Sequence, residues 1–595
     1  MSVNERSRKL VAVSLVRWAS AIGTASVALA AACTSGNRSL AGDGREFEID
    51  AGSMEAASPE CGGKRCSRDL HSVVDDCTEA VLEQCSDEHG CAEGACVPAC
   101  ESAAASKGSI GCSFYAIPPD TLPQSETSCW AVFVANTWNT PVAVTAERGG
   151  TPLDVSRSIY RATVQGDAIA YERIEGAIPA RDLGIVFLAQ GEKGVNNDAH
   201  LDCPDGVEVA WRGTAVKDHK TSLYDAFHIT TSMPVSAYSL FPYGGARSYL
   251  PAATLLLPTS SWDNTYVLVD GWKAKDGWPF LQIIAQQDDT EVRIRPKIDI
   301  LDGVGVPGGI RGAVARWSLK RGQVLELTQH DSLAGSPIET SHPVGVFGGN
   351  QCTYLDNMPA CDSLHQQIAP VKQWSSSYSA VPYESRRKGL AGSARPPEQV
   401  FWRMVGAADG TELTYDPIPP PGAPTSLASG QVATFTSEQP FRVKSQDPSH
   451  PFFLAVHMTG ADTYGTLGDP DFVVTVPDDQ FLDSYVFFLD HTYADSNLTV
   501  VRRKDVNGGF QEVELDCLGP VTGWHPLGTD GTTEYAWVDM TLSRAPVGNC
   551  GYGRHEAKSG APFALYAWGV DSYASYGFPA GAGSRPTSPF SITVH

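Results

Sequence analysis

From about Phe114 to the C-terminus, short apolar runs rich in β-branched and aromatic residues alternate with turns rich in Gly, Pro, Asp and Ser. Residues 344–348, Val-Gly-Val-Phe-Gly, follow Pro343 directly and contain no polar side chain. Such an uninterrupted run is typical of a buried strand, and Pro is tolerated where a strand begins. No stretch has the apolar period of a long amphipathic helix. The pattern therefore predicts an all-β protein in which one strand begins at Pro343.

This proline-led strand recurs along the chain at a nearly constant spacing. Pro234, Pro343, Pro451 and Pro562 each precede an apolar run, and they lie 109, 108 and 111 residues apart. Because residues 114–595 are too many for a single core, the repeat divides them into smaller units. We predict about four tandem, β-sandwich-like units with a period of about 109 residues. A β-propeller is the alternative architecture.

The N-terminus predicts export. Residues 1–32 have a basic start followed by a mostly apolar run, as signal peptides do. Residues 29–33, Leu-Ala-Ala-Ala-Cys, resemble a lipobox, so we expect lipidation of Cys33 and anchoring at the outer membrane or cell surface. An ordinary cleaved signal peptide, with no role for Cys33, is the alternative. Residues 33–60 are poor in large apolar side chains and predict a disordered tether.

The fifteen cysteines indicate an oxidising compartment. Eight of them lie within residues 61–113, which predicts a small disulfide-rich stalk module whose pairing the sequence leaves open. A zinc site is the competing interpretation of these eight. Cys352 and Cys361 flank a short loop after the strand that follows Pro343, and we predict that they pair with each other. Apart from Cys33, the remaining cysteines are also expected in disulfides and fall in the first and last units: Cys129, Cys203, Cys517 and Cys550.

The sequence lacks the common signatures of catalysis. Neither Gly-x-Ser-x-Gly nor His-Glu-x-x-His is present, and the glycines of residues 303–308 stand in a β-rich context that predicts a loop. His342 and His450 precede repeat prolines and are expected at strand edges. His365 is expected to be a hydrogen-bonded loop residue, with a ligand contact as the alternative. We therefore predict no catalytic residue, no cofactor and no metal site.

Two groups of side chains offer weaker binding hypotheses. Carboxylates at positions 469, 471, 478 and 479 could hold Ca²⁺, but solvated turn residues are the favoured interpretation. Trp262 and Trp374 occupy equivalent repeat positions and predict core packing. Trp272 and Trp278 are the better candidates for exposed aromatic residues in a sugar site. The formal charge of −24 argues against nucleic acid and anionic lipid as partners.

Residues 335–352, Gly-Ser-Pro-Ile-Glu-Thr-Ser-His-Pro-Val-Gly-Val-Phe-Gly-Gly-Asn-Gln-Cys, are followed by Cys361-Asp362 and by Pro-Val-Lys-Gln-Trp at 370–374. This order resembles the N-terminal domain of the IgGFc-binding protein family, over residues 227–570. The resemblance implies an extracellular, non-catalytic module; no Fc-contacting residue can be assigned by it.

We thus expect a cell-surface binding or adhesion protein with an extracellular protein or glycan ligand. The alternatives are a glycan-active enzyme, which needs a carboxylate pair across a cleft, and a structural spacer.

Overall fold

The computed structural model describes residues 63–165, 168–194, 199–213, 220–248, 250–355, 360–387 and 395–595, except for the side chains of 462 and 463. The predicted signal peptide, Cys33 and the tether lie outside these residues. Strands take up 50% of the chain and helices 5%, so the protein is all-β. No helix in the described ranges is long and apolar enough to cross a membrane. Residues from Cys61 to His595 form one compact unit.

The cysteine-rich module contains three described disulfides, Cys66–Cys91, Cys85–Cys96 and Cys100–Cys112. These sulfurs are consumed by disulfides, so they are not the thiolate ligands that a zinc site requires. Its elements, together with the strand that follows, are β1 (Lys64–Cys66), β2 (Ser72–Asp75), β3 (Val81–Gln84), β4 (His89–Ala92), β5 (Ala95–Pro98), α1 (Ala99–Ser106) and β6 (Gly111–Ala116).

The module packs on the β domain and does not stand apart as a stalk. The indole of Trp138 is buried against Leu70 and Ala99 and donates to the carbonyl of Asp87 at 2.8 Å. On the other side, the guanidinium of Arg68 donates to the carbonyls of Ser559 and Gly560. The module therefore joins an early part of the β domain to its last part.

The β domain divides into four segments, which we number in chain order. The strands of the first segment are β7 (Trp130–Asn136), β8 (Val144–Arg148), β9 (Thr151–Leu153), β10 (Ile159–Gln165), β11 (Ala168–Arg173), β12 (Leu183–Gln190), β13 (Trp211–Arg212), β14 (Ser222–Asp225), β15 (Phe227–Phe241) and β16 (Ala252–Leu256). The strands of the second segment are β17 (Asp263–Val267), β18 (Pro279–Ala285), β19 (Thr290–Ile294), β20 (Ala315–Leu319), β21 (Gln323–Thr328), β22 (Pro337–Thr353) and β23 (Asp362–Ile368).

The third and fourth segments complete the β domain. The strands of the third segment are β24 (Ser377–Ala380), β25 (Val400–Gly406), β26 (Thr411–Asp416), β27 (Ser426–Leu427), β28 (Val432–Ser437), β29 (Phe441–Ser445), β30 (Phe452–Met458) and β31 (Asp471–Val474). The strands of the fourth segment are β32 (Leu482–Leu489), β33 (Asp495–Arg503), β34 (Val513–Leu515), β35 (Gly519–Pro520), β36 (His525–Pro526), β37 (Thr533–Leu542), β38 (Ala545–Pro546), β39 (Gly553–Asp571) and β40 (Ala574–Pro579). Short 3-10 turns lie at Gly245–Arg247, Thr259–Ser261, Val371–Gln373, Ala461–Tyr464 and Asp478–Gln480.

The repeated prolines mark the point where a strand passes from one set of partners to another. Before Pro343, β22 pairs with β19; after it, β22 pairs with β18 and β23. Pro234 and Pro562 divide β15 and β39 in the same way, and Pro451 stands between β29 and β30. Proline has no N–H for a ladder, so it suits this transition. The prediction that a strand begins at Pro343 is wrong, because β22 already begins at Pro337.

In the part that follows the proline, each of these strands lies mainly between one strand that precedes it in sequence and one that follows it. These triplets are β7–β15–β16, β18–β22–β23, β25–β30–β31 and β33–β39–β40. A tyrosine hydroxyl donates to the carbonyl directly after the proline in three segments, from Tyr266, Tyr378 and Tyr485. The sheets form half-barrels and not the blades of a closed propeller.

The hydrophobic cores lie between segments. Each of the four main apolar clusters combines residues of two segments: first with second, second with third, third with fourth, and fourth with first. In the last of these, the rings of Phe133 and Phe488 stack with centroids 3.9 Å apart. The hydroxyl of Tyr238 donates to the carbonyl of Ala580 at 2.6 Å. The first and fourth segments, which are far apart in sequence, are therefore direct neighbours.

Candidate binding pocket

The three cysteine pairs outside the module form disulfides in the structure. Their Cα atoms are 5.3 Å apart in Cys352–Cys361, 4.8 Å in Cys517–Cys550 and 4.7 Å in Cys129–Cys203. The first closes the short loop after β22, and the other two lie in the core shared by the first and fourth segments. All three pairs belong to the scaffold.

The tryptophans do not form a sugar platform. Trp262 and Trp374 are buried in core clusters. Trp272 is also buried, which overturns the expectation that it is exposed; its ring contacts Phe401 and His457. Trp278 is only half-buried, and the Lys220 ammonium lies 5.6 Å from its ring centroid. Of the two candidate indoles, only that of Trp278 is therefore partly exposed.

The candidate histidine is also part of the core. His365 lies in β23 and not in a loop, it is buried, and its Nε2 lies 2.9 Å from the side-chain oxygen of Gln282. Its ring stacks on Phe347. Burial lowers its pKa to about 3, so the imidazole is neutral at physiological pH. These contacts hold β23 against the neighbouring strands and offer nothing to a ligand.

The four aspartates considered for Ca²⁺ separate into two groups. Asp478 and Asp479 accept hydrogen bonds from Ser377 and Ser375, whereas Asp469 and Asp471 are buried near Asp362. Only Asp479 is exposed, so the expectation of solvated turn residues is wrong for the other three. The one cluster of metal-ligating side chains in the described ranges is Asp516 with Cys517 and His555. Its cysteine is in a disulfide, which removes the thiolate.

One carboxyl pair has the proximity expected of acid–base chemistry but not the access. The hydroxyl of Thr328 donates to Asp120 at 2.6 Å and lies 3.3 Å from Glu326. Burial and the charge of Asp120 raise the pKa of Glu326 well above its usual value. Because both carboxyls are fully buried, a glycan cannot reach them. The pair belongs to a polar network between the first and second segments.

A concave site lies between the first and fourth segments. It is a cavity of about 410 Å³, lined by the β10–β11 hairpin, by residues 201–204 and 243–247, and by residues of the fourth segment. This volume is in the range of small-ligand pockets. Gly245 brings the turn Gly245–Arg247 close to the fourth segment, since a Cβ atom at this position would lie 2.9 Å from the hydroxyl oxygen of Tyr493.

Aromatic rings form the walls of this cavity, which we call the tyrosine pocket. Tyr171 lies on β11, and its hydroxyl oxygen accepts a hydrogen bond from Tyr243 at 3.0 Å. Burial raises the pKa of Tyr171 to about 12, so it keeps its proton and can donate it to a ligand. From the fourth segment, Tyr552 and His491 also line the cavity, and their rings stack with centroids 5.7 Å apart. Such walls suit the apolar face of a ring.

Polar groups meet at the same cavity. Arg544 is held by Asp571 at 2.8 Å and by the carbonyl of Thr492 at 2.9 Å. Arg247 is exposed, and its guanidinium makes no ion pair or hydrogen bond with any described residue. Buried His491 has no hydrogen-bond partner at Nδ1 among the described residues, and burial with the nearby His555 lowers its pKa to about 4. The cavity is therefore lined by one cation without an ion-pair partner among the described residues and by one neutral imidazole ring.

Asp202 adds a carboxylate to the lining. Its oxygens accept hydrogen bonds from Gln190 at 2.6 Å and from the backbone of Gly194 at 2.9 Å, and they face His200 at 3.2 Å. Partial burial opposes ionisation, but the contacts with Gly194 and His200 outweigh it and lower the pKa of Asp202. Asp202 is thus an ionised, well-supported acceptor at neutral pH.

Sequence reasoning missed this pocket because its parts come from distant regions. Tyr171, Tyr243 and Arg247 lie more than 240 residues before His491, Arg544 and Tyr552. Only the contact of the first segment with the fourth brings them together. The one local indication of the pocket in the sequence is the tyrosine of the β10–β11 hairpin. The residues around this tyrosine do not distinguish it from other tyrosines of the chain.

The comparison with known proteins assigns the family. Residues 252–569, more than half of the chain, match the family model described as IgGFc binding protein. The match begins at β16, later than the expected residue 227, and includes the fourth-segment wall of the tyrosine pocket but not its first-segment wall. No curated protein and no solved structure matches the chain. The family match shows that this chain belongs to the IgGFc binding protein family.

Proposed function

We propose that this protein is a non-catalytic extracellular binding protein whose tyrosine pocket receives a sugar residue of a glycan ligand. The observation that carries the proposal is the pocket itself, with two aromatic walls and hydrogen-bonding groups that converge on it. Tyrosine rings cover the C–H face of a sugar, and carboxylate and guanidinium groups pair with its hydroxyls. The family's description as a binding protein agrees with this role.

We further propose that Cys33 is lipidated after removal of residues 1–32, and that residues 33–60 tether the β domain to the outer membrane or cell surface. The lipobox-like sequence supports this, and the six described disulfides agree with an oxidising, extracytoplasmic location. Incorporation of labelled palmitate into the wild type but not into Cys33→Ser is the expected result. Equal labelling of both would contradict it.

The four segments are proposed to be equivalent units of a repeat with a period of about 109 residues. The common strand triplets and the three tyrosine-to-carbonyl bonds support this. In this arrangement the pocket is not repeated, because it depends on the β10–β11 hairpin and on Tyr552. A single ligand site per chain is therefore expected.

An array of neutral and acidic oligosaccharides, probed with the full exported chain, tests the proposed function. Ala168 is exposed at the pocket, so Ala168→Trp fills the cavity without disturbing the core. Thr163→Trp is the matched control, because Thr163 is exposed on the same hairpin but does not line the pocket. Binding should be lost in Ala168→Trp and kept in Thr163→Trp. If Ala168→Trp binds like the wild type, or if no oligosaccharide binds the wild type, the proposal is wrong.

A further inference from the structure

The clearest feature of the tyrosine pocket is the unpaired guanidinium of Arg247. The chain carries a formal charge of −24, and Arg544, the other arginine of the pocket, is paired with Asp571 at 2.8 Å. Arg247 has no such partner among the described residues. It ends the short turn Gly245–Arg247, which packs closely on Tyr493 through Gly245. The turn thus holds an uncompensated positive charge at the cavity.

A second donor accompanies this charge. Arg247 is close enough to Tyr171 that its charge acts on the phenol. Since the hydroxyl oxygen of Tyr171 accepts from Tyr243, its own proton is left to donate elsewhere. Both residues line the same cavity, and an arginine fork with a phenol beside it can receive an anionic group with planar or tetrahedral oxygens.

We infer that the ligand of the tyrosine pocket is an acidic sugar, a pyranose that carries a carboxylate or a sulfate. This inference rests on the proposed function and specifies its ligand class. The anionic group pairs with Arg247 and the Tyr171 hydroxyl, and the ring lies between the aromatic walls. The sugar hydroxyls donate to the ionised carboxylate of Asp202, which lines the same cavity. Arg544 is already held by Asp571 and supports the rim.

The alternative within the same pocket is a neutral sugar. Asp202 and the aromatic walls serve a neutral sugar equally well, and only Arg247 distinguishes the two ligands. Because the guanidinium is exposed, its attraction for an anion is screened by salt. Binding of an acidic sugar should therefore weaken with ionic strength, whereas binding of a neutral one should not.

The test compares oligosaccharides of glucose, of glucuronic acid and of sulfated glucose on the full chain. The wild type should bind at least one acidic series more tightly than the glucose series. Arg247→Gln should lose about ten- to hundredfold in affinity for that series, as expected for a charge-assisted hydrogen bond, and Arg247→Lys should lose less. The exposed Arg311 lies in a distant loop, so Arg311→Gln is the charge-matched control and should bind as the wild type does.

The possible outcomes separate the inference from the proposed function. If the glucose series binds as tightly as both acidic series, or if Arg247→Gln and Arg311→Gln behave alike, the acidic ligand is wrong. Loss of binding in Ala168→Trp would still support the pocket as the site. If Ala168→Trp has no effect on any series, the pocket itself is wrong. Preference for the carboxylated over the sulfated series, or the reverse, identifies the anionic group.

Discussion

Two junctions of the molecule combine an arginine with aromatic rings, and only one of them is a pocket. Between the second and third segments, Arg403 donates to Asp270 at 2.8 Å and to the carbonyl of Gly271 at 2.7 Å. Its guanidinium lies 6.0 Å from the ring of Trp272, and the side chain is buried. Between the fourth and first segments, Arg247 is exposed at a cavity and unpaired among the described residues.

The difference shows that residue type does not distinguish a scaffold contact from a binding site. At the Arg403 junction the guanidinium faces backbone and carboxylate acceptors, and the indole of Trp272 packs beside it. At the Arg247 junction the β10–β11 hairpin and the turn Gly245–Arg247 leave space between aromatic walls. Pairing and burial, and not the presence of Arg beside an aromatic ring, separate structural from functional roles. The following predictions test this distinction, in order of decreasing effect on stability.

Arg403→Met should have the largest effect. It leaves the carboxylate of Asp270 buried without its partner, which costs about 3–5 kcal/mol in the free energy of unfolding. Arg247→Met should change that free energy by less than about 0.5 kcal/mol, because Arg247 is exposed and unpaired. Urea denaturation of both variants checks the contrast. Equal losses in the two variants would remove the basis for treating the junctions as different.

The disulfide in the core of the first and fourth segments should rank next. Cys129 and Cys203 are 74 residues apart, and closing a loop of this size stabilises by about 4 kcal/mol in the chain-entropy model. Cys352 and Cys361 are only 9 apart, which corresponds to about 2.5 kcal/mol. We therefore expect the double Cys→Ser variant at Cys129 and Cys203 to have a lower denaturation midpoint than the double Cys→Ser variant at Cys352 and Cys361. The reverse order would contradict this account of the junction.

Behind the pocket, Asp490 should make stability depend on pH. It is fully buried, and burial raises its pKa to about 6 although Thr492 donates to it. The carboxyl of Asp490 ionises at lower pH in the unfolded state than in the folded state. The contribution of this carboxyl to folding stability is therefore complete below about pH 4 and is lost as pH rises through about 6. The loss corresponds to about 3 kcal/mol.

Asp490→Asn removes this titration, so the variant should gain stability relative to the wild type between pH 4 and pH 7. Denaturation midpoints of the wild type and of Asp490→Asn, measured at pH 4 and at pH 7, check this expected gain in stability. A difference between the proteins that does not change with pH would show that Asp490 stays ionised in the folded state.

Tyr171→Phe should have a small effect on folding and a clear one on binding. The phenol of Tyr171 is only partly buried. Its removal leaves the hydroxyl of Tyr243 without its acceptor, which should lower the free energy of unfolding by about 1 kcal/mol. Affinity for the best-bound acidic series should fall several-fold. Tyr535→Phe, a partly buried tyrosine outside the pocket, should leave affinity unchanged. Unaltered affinity in Tyr171→Phe would exclude the phenol as a donor to the ligand.

Much of the fold could be predicted from the sequence, and the site could not. The apolar runs around Pro343 and Pro562 predict buried strands, and these strands are present in β22 and β39. The pattern gives no information about partners on either side of a proline, so the predicted strand start at Pro343 was wrong. Trp272 was expected at the surface because it lies in a loop. Its burial depends on Phe401 and Arg403 in another segment, which local sequence does not report.

The most direct test of the account is a crystal structure of the full chain with the oligosaccharide that binds most tightly on the array. The account predicts density for a sugar ring between Tyr171 and Tyr552, with its anionic group within hydrogen-bond distance of the Arg247 guanidinium. An oligosaccharide bound elsewhere, or an empty tyrosine pocket at saturating ligand, would contradict it.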